Sequence, residues 1–246
     1  PGFFQQPYLL WFVAEDPVRA GRLPGNIGRM ARAIIQCVRQ GNPASLQEQL
    51  DYALRLVSWS TVARDGGVQL ELIDVLADAG ALLEGNPNNA LVNGNVAAAE
   101  HLVRRGAALT LATALCLERW TEVAQLAAAA TGAERQFALV LAALNGRAEA
   151  LRRMIRIGVD VNAPSPDLYS HGTPLHHAVC SGCLEAVQVL VEAGANPRAQ
   201  DTAWQGTPLG WALHYVEEKK REDERARYSE IAAYLRKQIA AGSSTN

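Results

Sequence analysis

Glycine returns along this chain at a fixed interval: residues 80, 106, 132 and 158 stand 26 apart, and Gly194 follows 36 later. Most are embedded alike, as in "ADAGAL", "VRRGAA", "IRIGVD" and "VEAGAN". Such a period constrains the fold strongly, because each short unit must bury its apolar face on its neighbours. Ahead of each glycine runs an apolar set at i, i+3, i+6 and i+7, one face of a helix of about ten residues. The sets are Leu70, Ile73, Leu76, Ala77; Val96, Ala99, Leu102, Val103; Trp120, Val123, Leu126, Ala127; Ala148, Leu151, Met154, Ile155; and Leu184, Val187, Leu190, Val191. Tyr228, Ile231, Tyr234 and Leu235 repeat the pattern near the C-terminus.

Upstream of four of these helices lies a second, shorter one ending in a turn: "ALVNG" (90–94), "AALNG" (142–146), "AVCSG" (178–182) and "ALHYV" (212–216). The unit is therefore helix, turn, helix, glycine stop. Glycine just past a helix end accepts the left-handed conformation that other residues resist. The unit around "ATALCLERW" is degenerate, since its interior matches its neighbours only after a slip of two residues.

"HGTPLHHAVCSGCLEAVQVLVEAGANPRAQD" closely resembles an ankyrin repeat, and "QGTPLGWAL" begins another 34 residues on, near that family's period of about 33. Thr173 and Thr207 suit the helix N-cap, Pro174 and Pro208 the first helical position, and Leu175 and Leu209 then enter the core. The resemblance is specific over residues 137–216 and a matter of pattern from about 68 to 136. It implies an all-α, ankyrin-type α-solenoid of five to six helix-turn-helix pairs. The 26-residue units fall about seven short of the family period, so their hairpin fingers are expected to shrink to tight turns. In the last unit Gly210 replaces the motif histidine and "EEKKREDERAR" (217–227) intervenes, the mark of a modified capping repeat with a solvated helix extension. Residues 1–26 read as an aromatic extension, 27–67 as a helical N-terminal cap and 68–246 as the repeats. The chain opens on Pro rather than Met, so it is expected to be a piece of a longer protein.

The stretch from Tyr169 to Cys183 packs His171, His176, His177, Cys180 and Cys183 into fifteen positions. In the family His176 is the motif histidine whose ring bonds neighbouring loop backbone, so the resemblance gives it a structural role. Cys180 ends one helix and Cys183 starts the next, which makes their CxxC two adjacent helix ends. Zinc needs four converging ligands, and His177 lies about 100° around the helix from His176. A redox role is weaker still, since only Cys183 stands at a helix N-terminus. No metal and no cofactor is expected.

Neither a nucleophile elbow, a zinc-protease helix, a phosphate loop nor a dinucleotide fingerprint is present, so the chain reads as non-catalytic. A net charge of −2 and a pI near 6.3 give no basic footprint for nucleic acid. No apolar run reaches the roughly 18 residues of a membrane span. Four cysteines in 246 residues fit a reducing, cytoplasmic setting rather than a disulfide framework.

The resemblance implies a protein-interaction module, monomeric in isolation, whose partner docks on fingertips and first helices. On the matching positions that means Tyr169, Ser170, His171, Cys180 and Ser181 in the best repeat, and Ala203, Trp204, Gln205, His214 and Tyr215 in the last. Asn93, Leu144 and Asn145 extend it into earlier repeats. The competing reading is the regulatory or targeting domain of a larger enzyme or toxin.

Overall fold

A computed structural model describes residues 66–78, 86–219 and 221–243. The expected aromatic extension and nearly all of the N-terminal cap lie outside them. The described residues belong to two compact units, the first ending at Ala108 and the second beginning at Leu109. Every regular element described is a helix.

The first unit holds α1 (Gly66–Asp78), α2 (Asn86–Val92) and α3 (Val96–Arg104). Ile73, Ala90, Leu91, Ala99 and Leu102 are fully buried in it, and α3 packs on both α1 and α2. Asn95 caps α3, its side chain accepting the Ala98 N–H at 3.0 Å, which satisfies one donor that the helix start leaves open. His101 Nε2 lies 2.8 Å from Asp74 Oδ1, and Arg105 pairs with Asp74 and Asp78.

In the second unit α4 (Leu111–Cys116), α6 (Gly132–Leu144), α8 (Pro174–Cys180) and α10 (Pro208–Glu218) are the first helices of four pairs. Their partners are α5 (Trp120–Ala129), α7 (Ala148–Arg156), α9 (Leu184–Glu192) and α11 (Glu222–Ser243). Successive first helices pack together in one row; α7, α9 and α11 pack in a second. This explains two kinds of burial. A second helix buries one stripe: Leu151 and Met154 in α7, Val187 and Leu190 in α9. The first helices α4, α6 and α8 instead hold unbroken buried runs, residues 111–116, 138–143 and 174–179, as expected for short apolar stretches with no polar face, whereas the last, α10, buries only Pro208, Ala212 and Tyr215.

The helix ends follow one pattern. Gly94, Gly146 and Gly182 close the inner turns at positive φ, and Gly106, Gly158 and Gly194 close the outer ones. Beyond them a backbone N–H reaches back across the turn, as in Arg147 N–H to Ala142 O at 2.9 Å and Ala195 N–H to Leu190 O at 2.9 Å. That closure satisfies carbonyls the helix would otherwise orphan.

The degenerate unit departs from this in two places. Glu118 takes the inner-turn position with φ 57°, and Arg119 N–H still closes onto Ala114 O at 2.8 Å. The turn thus comes two residues early against the 26-residue register of Gly94. Gly132, counted in the sequence as a stop, is corrected by the structure. It is the first residue of α6, behind Thr131, whose hydroxyl accepts the Glu134 N–H at 3.2 Å while Glu134 accepts the Thr131 N–H at 2.7 Å. That reciprocal cap starts a helix where the other units have a stop.

Fingers differ in length as expected. Two residues separate α5 from α6, whereas residues 157–173 and 193–207 form full fingers ahead of α8 and α10. The charged run 217–227 is not one helix: α10 ends at Glu218, Lys219 turns to an extended ψ of 130°, and α11 starts at Glu222. Leu209 is half-buried rather than a core residue, while Leu175 is fully buried.

Two outcomes follow from these end structures. A side chain in the left-handed region is disfavoured by about 1–2 kcal/mol, so Glu118→Gly should raise the melting temperature even though it removes the 3.4 Å contact with Arg147; an unchanged or lower value would show that no strain resides there. Only Val123 is buried in α5 against six consecutive residues in α6. Amides of residues 122–129 should therefore exchange about tenfold or more faster than those of 138–144, and equal protection would contradict this.

Candidate functional site: the two long fingers

The fingers ahead of α8 and α10 are tied to each other by backbone. Thr202 N–H donates to His171 O at 2.9 Å, and Asn162 binds the Gly194–Asn196 turn through Nδ2 to Gly194 O at 3.1 Å and Oδ1 from Asn196 N–H at 2.8 Å.

His176 joins finger to helix. Its Nδ1 accepts the Thr173 N–H at 3.2 Å and lies 2.9 Å from the Thr173 hydroxyl. The ring proton therefore sits on Nε2, which donates to Gly206 O at 3.0 Å in the next finger. Burial, first of all, holds His176 below the usual imidazole range, against the opposing pull of Gly206 O and Asp201. The structure thus gives it the backbone-bonding part that the sequence pattern implied.

Asp201 organises the second finger. Its Oδ1 accepts the N–H groups of Ala203 at 2.9 Å and Trp204 at 2.6 Å; its Oδ2 accepts Gly206 N–H and Trp211 Nε1–H, both at 2.9 Å. Burial works to raise this carboxyl, but the four donors outweigh it and hold it below the usual carboxylate range. A Cβ on Gly206 would lie 2.7 Å from Asp201 Oδ2 and 2.9 Å from Trp211 Nε1, so only glycine fits beneath this cradle. Reading the sequence for sites missed Asp201, Gly206 and Trp211. The available signal was the Asp five residues ahead of the glycine that opens "GTPL".

Above the cradle the rings pack edge to face. His171 meets Trp204 at 5.1 Å between centroids, and Trp211 meets His176 at 5.0 Å and Trp204 at 6.2 Å. Trp204 remains 59% exposed. His177 is buried, with no hydrogen-bond partner at Nε2. Burial, reinforced by His171 and His176, pushes it down to about 3.

The expected partner-facing residues separate into groups. Ser170, Ala203, Trp204, Gln205 and His214 are exposed, and Tyr169 and His171 half-exposed. Tyr169 and Gln205 adopt positive φ at the fingertips. Tyr215 is corrected: it is only 5% exposed, stacks on Tyr228 at 4.7 Å, and its hydroxyl lies 3.1 Å from Cys180 Sγ. Cys180 and Ser181 are half-buried at the end of α8, the thiol pushed up to about 11 by burial. The Ser181 hydroxyl donates to Ala178 O and accepts the Cys183 N–H. Leu144 and Asn145 are also half-buried, with Asn145 Nδ2 donating to Leu141 O at 2.9 Å. Asn93, in the first unit, likewise donates to Asn89 O. These polar residues finish helices rather than form one exposed surface. Among the described residues no group of three His, Cys, Asp or Glu side chains could hold a metal ion.

Comparison with known proteins agrees with this architecture. A family model for ankyrin repeats, in three copies, matches residues 88–201. Residues 88–201 belong to the ankyrin-repeat family. The chain is also similar to XBAT35 of Arabidopsis thaliana, a protein named as an E3 ubiquitin-protein ligase, with 39% identity over 72 residues. That match covers 29% of this chain and 15% of the relative. Repeats of this family serve protein–protein interaction. Among the described residues no helix is long and apolar enough to cross a membrane.

His177 sets an acid limit on the ankyrin fold. Its folded value near 3 lies below the usual 6.5, so the unfolded chain binds the extra proton between them. The stability is complete above about 6.5 and is lost as pH falls. Between pH 7 and pH 5 unfolding should become easier by about 2 kcal/mol, read as a drop in urea midpoint. A His177→Gln variant that kept the full drop would assign it to other groups.

Proposed function

We propose that the chain is a non-catalytic interaction module that binds a partner protein through the two long fingers, centred on Trp204. The observation that carries this is an indole 59% exposed on a backbone fixed by the Asp201 carboxylate. Exposed aromatics on rigid supports are favoured anchors at interfaces, because they bring much contact area at little entropic cost. Ser170, His171, Ala203 and Gln205 border it; His214 lies further down α10.

Capture from a lysate of the native cell, with wild type and Trp204→Ala as parallel baits, tests this. The variant should lose the partner while its melting temperature stays within about 1 °C, as expected for truncation of an exposed side chain. Equal capture by both baits would move the site away from the fingers. Tyr215→Ala, in contrast, should cost about 3 kcal/mol of stability, since it empties a buried stack, and a well-folded variant would contradict its core placement.

A second reading is favoured by the ligase relative, of which the match spans only 15%: the fingers would deliver a target to a catalytic part on the same polypeptide. Capture of a protein that the full-length product then modifies would select this reading over a free-standing adaptor. The free thiols of Cys116, Cys180 and Cys183 support a reducing, cytoplasmic setting under either reading.

A further inference from the structure

Resting on the interaction-module reading, the charge around the fingers narrows the partner. Residues 157–197 hold Asp160, Asp167, Glu185 and Glu192 with no Lys or Arg, and residues 199–218 hold Asp201, Glu217 and Glu218, again with none. Arg198, between these stretches, is directed to α11, where its Nη2 donates to Ile239 O at 2.8 Å. The region is therefore strongly negative in a chain whose net charge is only −2, and its balance lies elsewhere, in part on α7. There Arg152, Arg153 and Arg156 group around Glu149, and Arg152 also offsets Glu185 at 2.7 Å, which leaves Asp160 and Asp167 as the exposed acids of the fingers.

On the fingers themselves Asp160, Asp167 and Trp204 are exposed. The rings beside Trp204 are His171 and Trp211. Burial holds His171 below the usual imidazole range, so near neutral pH this neighbour adds no repelling charge. Other aromatics of the same unit already carry cations: the Arg153 guanidinium sits 4.3 Å from the Trp120 ring centroid, and Lys219 Nζ 5.6 Å from that of Tyr215. An indole is the best ring for such a contact, and the acids carried by the neighbouring finger draw a basic segment toward it and disfavour acidic competitors.

We propose that the exposed face of Trp204 receives a Lys or Arg side chain from an extended basic segment of the partner protein, with the charges of Asp160 and Asp167 on the neighbouring finger favouring that segment. The occupant is a basic peptide rather than an apolar helix, because among the described residues the exposed large apolar side chains of the fingers are only Trp204 and Ile157, set among acids and polar residues.

The probe is a phage-displayed library of random dodecapeptides selected on the full chain at low ionic strength. Enriched peptides should carry net positive charge, lose affinity as salt rises, and bind Trp204→Ala about tenfold more weakly, with Trp204→Phe between the two. The pair Asp160→Asn and Asp167→Asn should weaken binding and flatten its salt dependence. Enrichment of neutral or acidic peptides, equal binding to Trp204→Ala, or no enrichment at all would overturn the basic segment. The lysate comparison separates the two levels: a partner lost by Trp204→Ala whose contacting segment is acidic or apolar removes this inference and leaves the module standing.

Discussion

One imidazole sets the geometry of the two most regular repeats. Because His176 Nδ1 is committed to the backbone and hydroxyl of Thr173, its Nε2 must carry the proton, and that proton goes to Gly206 O in the next finger. A helix start and the following loop are thereby fixed together by a neutral side chain that is fully buried. Gly206 in turn gives its N–H to Asp201, which also gathers Trp211, Ala203 and Trp204. A network in a low-dielectric site is strong only when every member is satisfied, and here backbone groups of one finger complete the polar atoms of another. Protonating His176 would remove the acceptor that Thr173 needs, so burial and tautomer support each other.

Much of this was legible in the sequence, and the parts that were not have physical reasons. The second helices announced themselves because each buries one stripe, and a stripe has a period. The first helices have none: Ala138 to Ala143 are all buried, so they could be found only by the turns that end them. Gly132 was misread because spacing does not distinguish a glycine that ends one helix from a glycine that follows an N-cap; the Thr131–Glu134 pair did carry that signal. Trp204 was visible as a fingertip aromatic. Tyr215 was misplaced because its contact, Tyr228, lies across a charged segment whose break at Lys219 brings α11 back onto α10. That return is tertiary information, held in no local pattern.

The same logic explains how a unit with a poor sequence still folds. The first helices use many alanines, including Ala112, Ala114, Ala138, Ala142, Ala143 and Ala178, all buried. Each contributes little apolar area, and at roughly 25 cal/mol per Å² no six- or seven-residue helix of this kind is stable alone. Small side chains let neighbouring helices approach, so the stabilisation is shared along the row and one irregular turn is tolerated. Glu118 illustrates the tolerance: the closure from Arg119 to Ala114 survives the absence of glycine.

Sharing of this kind also frees the fingertips from structural duty. The residues that hold the fingers are buried or committed to backbone, as Asp201, His176 and Asn162 are, and the side chains pointing outward touch no core. A scaffold built this way says nothing by itself about what it binds; the specificity must lie in those outward residues. Here they include one indole and the exposed carboxylates Asp160 and Asp167. Since the backbone under Trp204 is already fixed by the Asp201 donors, a partner meets an ordered surface and loses little binding free energy to ordering it. The charge of the fingers then discriminates among partners more than it adds to affinity, because an exposed ion pair is worth little whereas a like charge brought beside Asp160 and Asp167 is penalised at every approach.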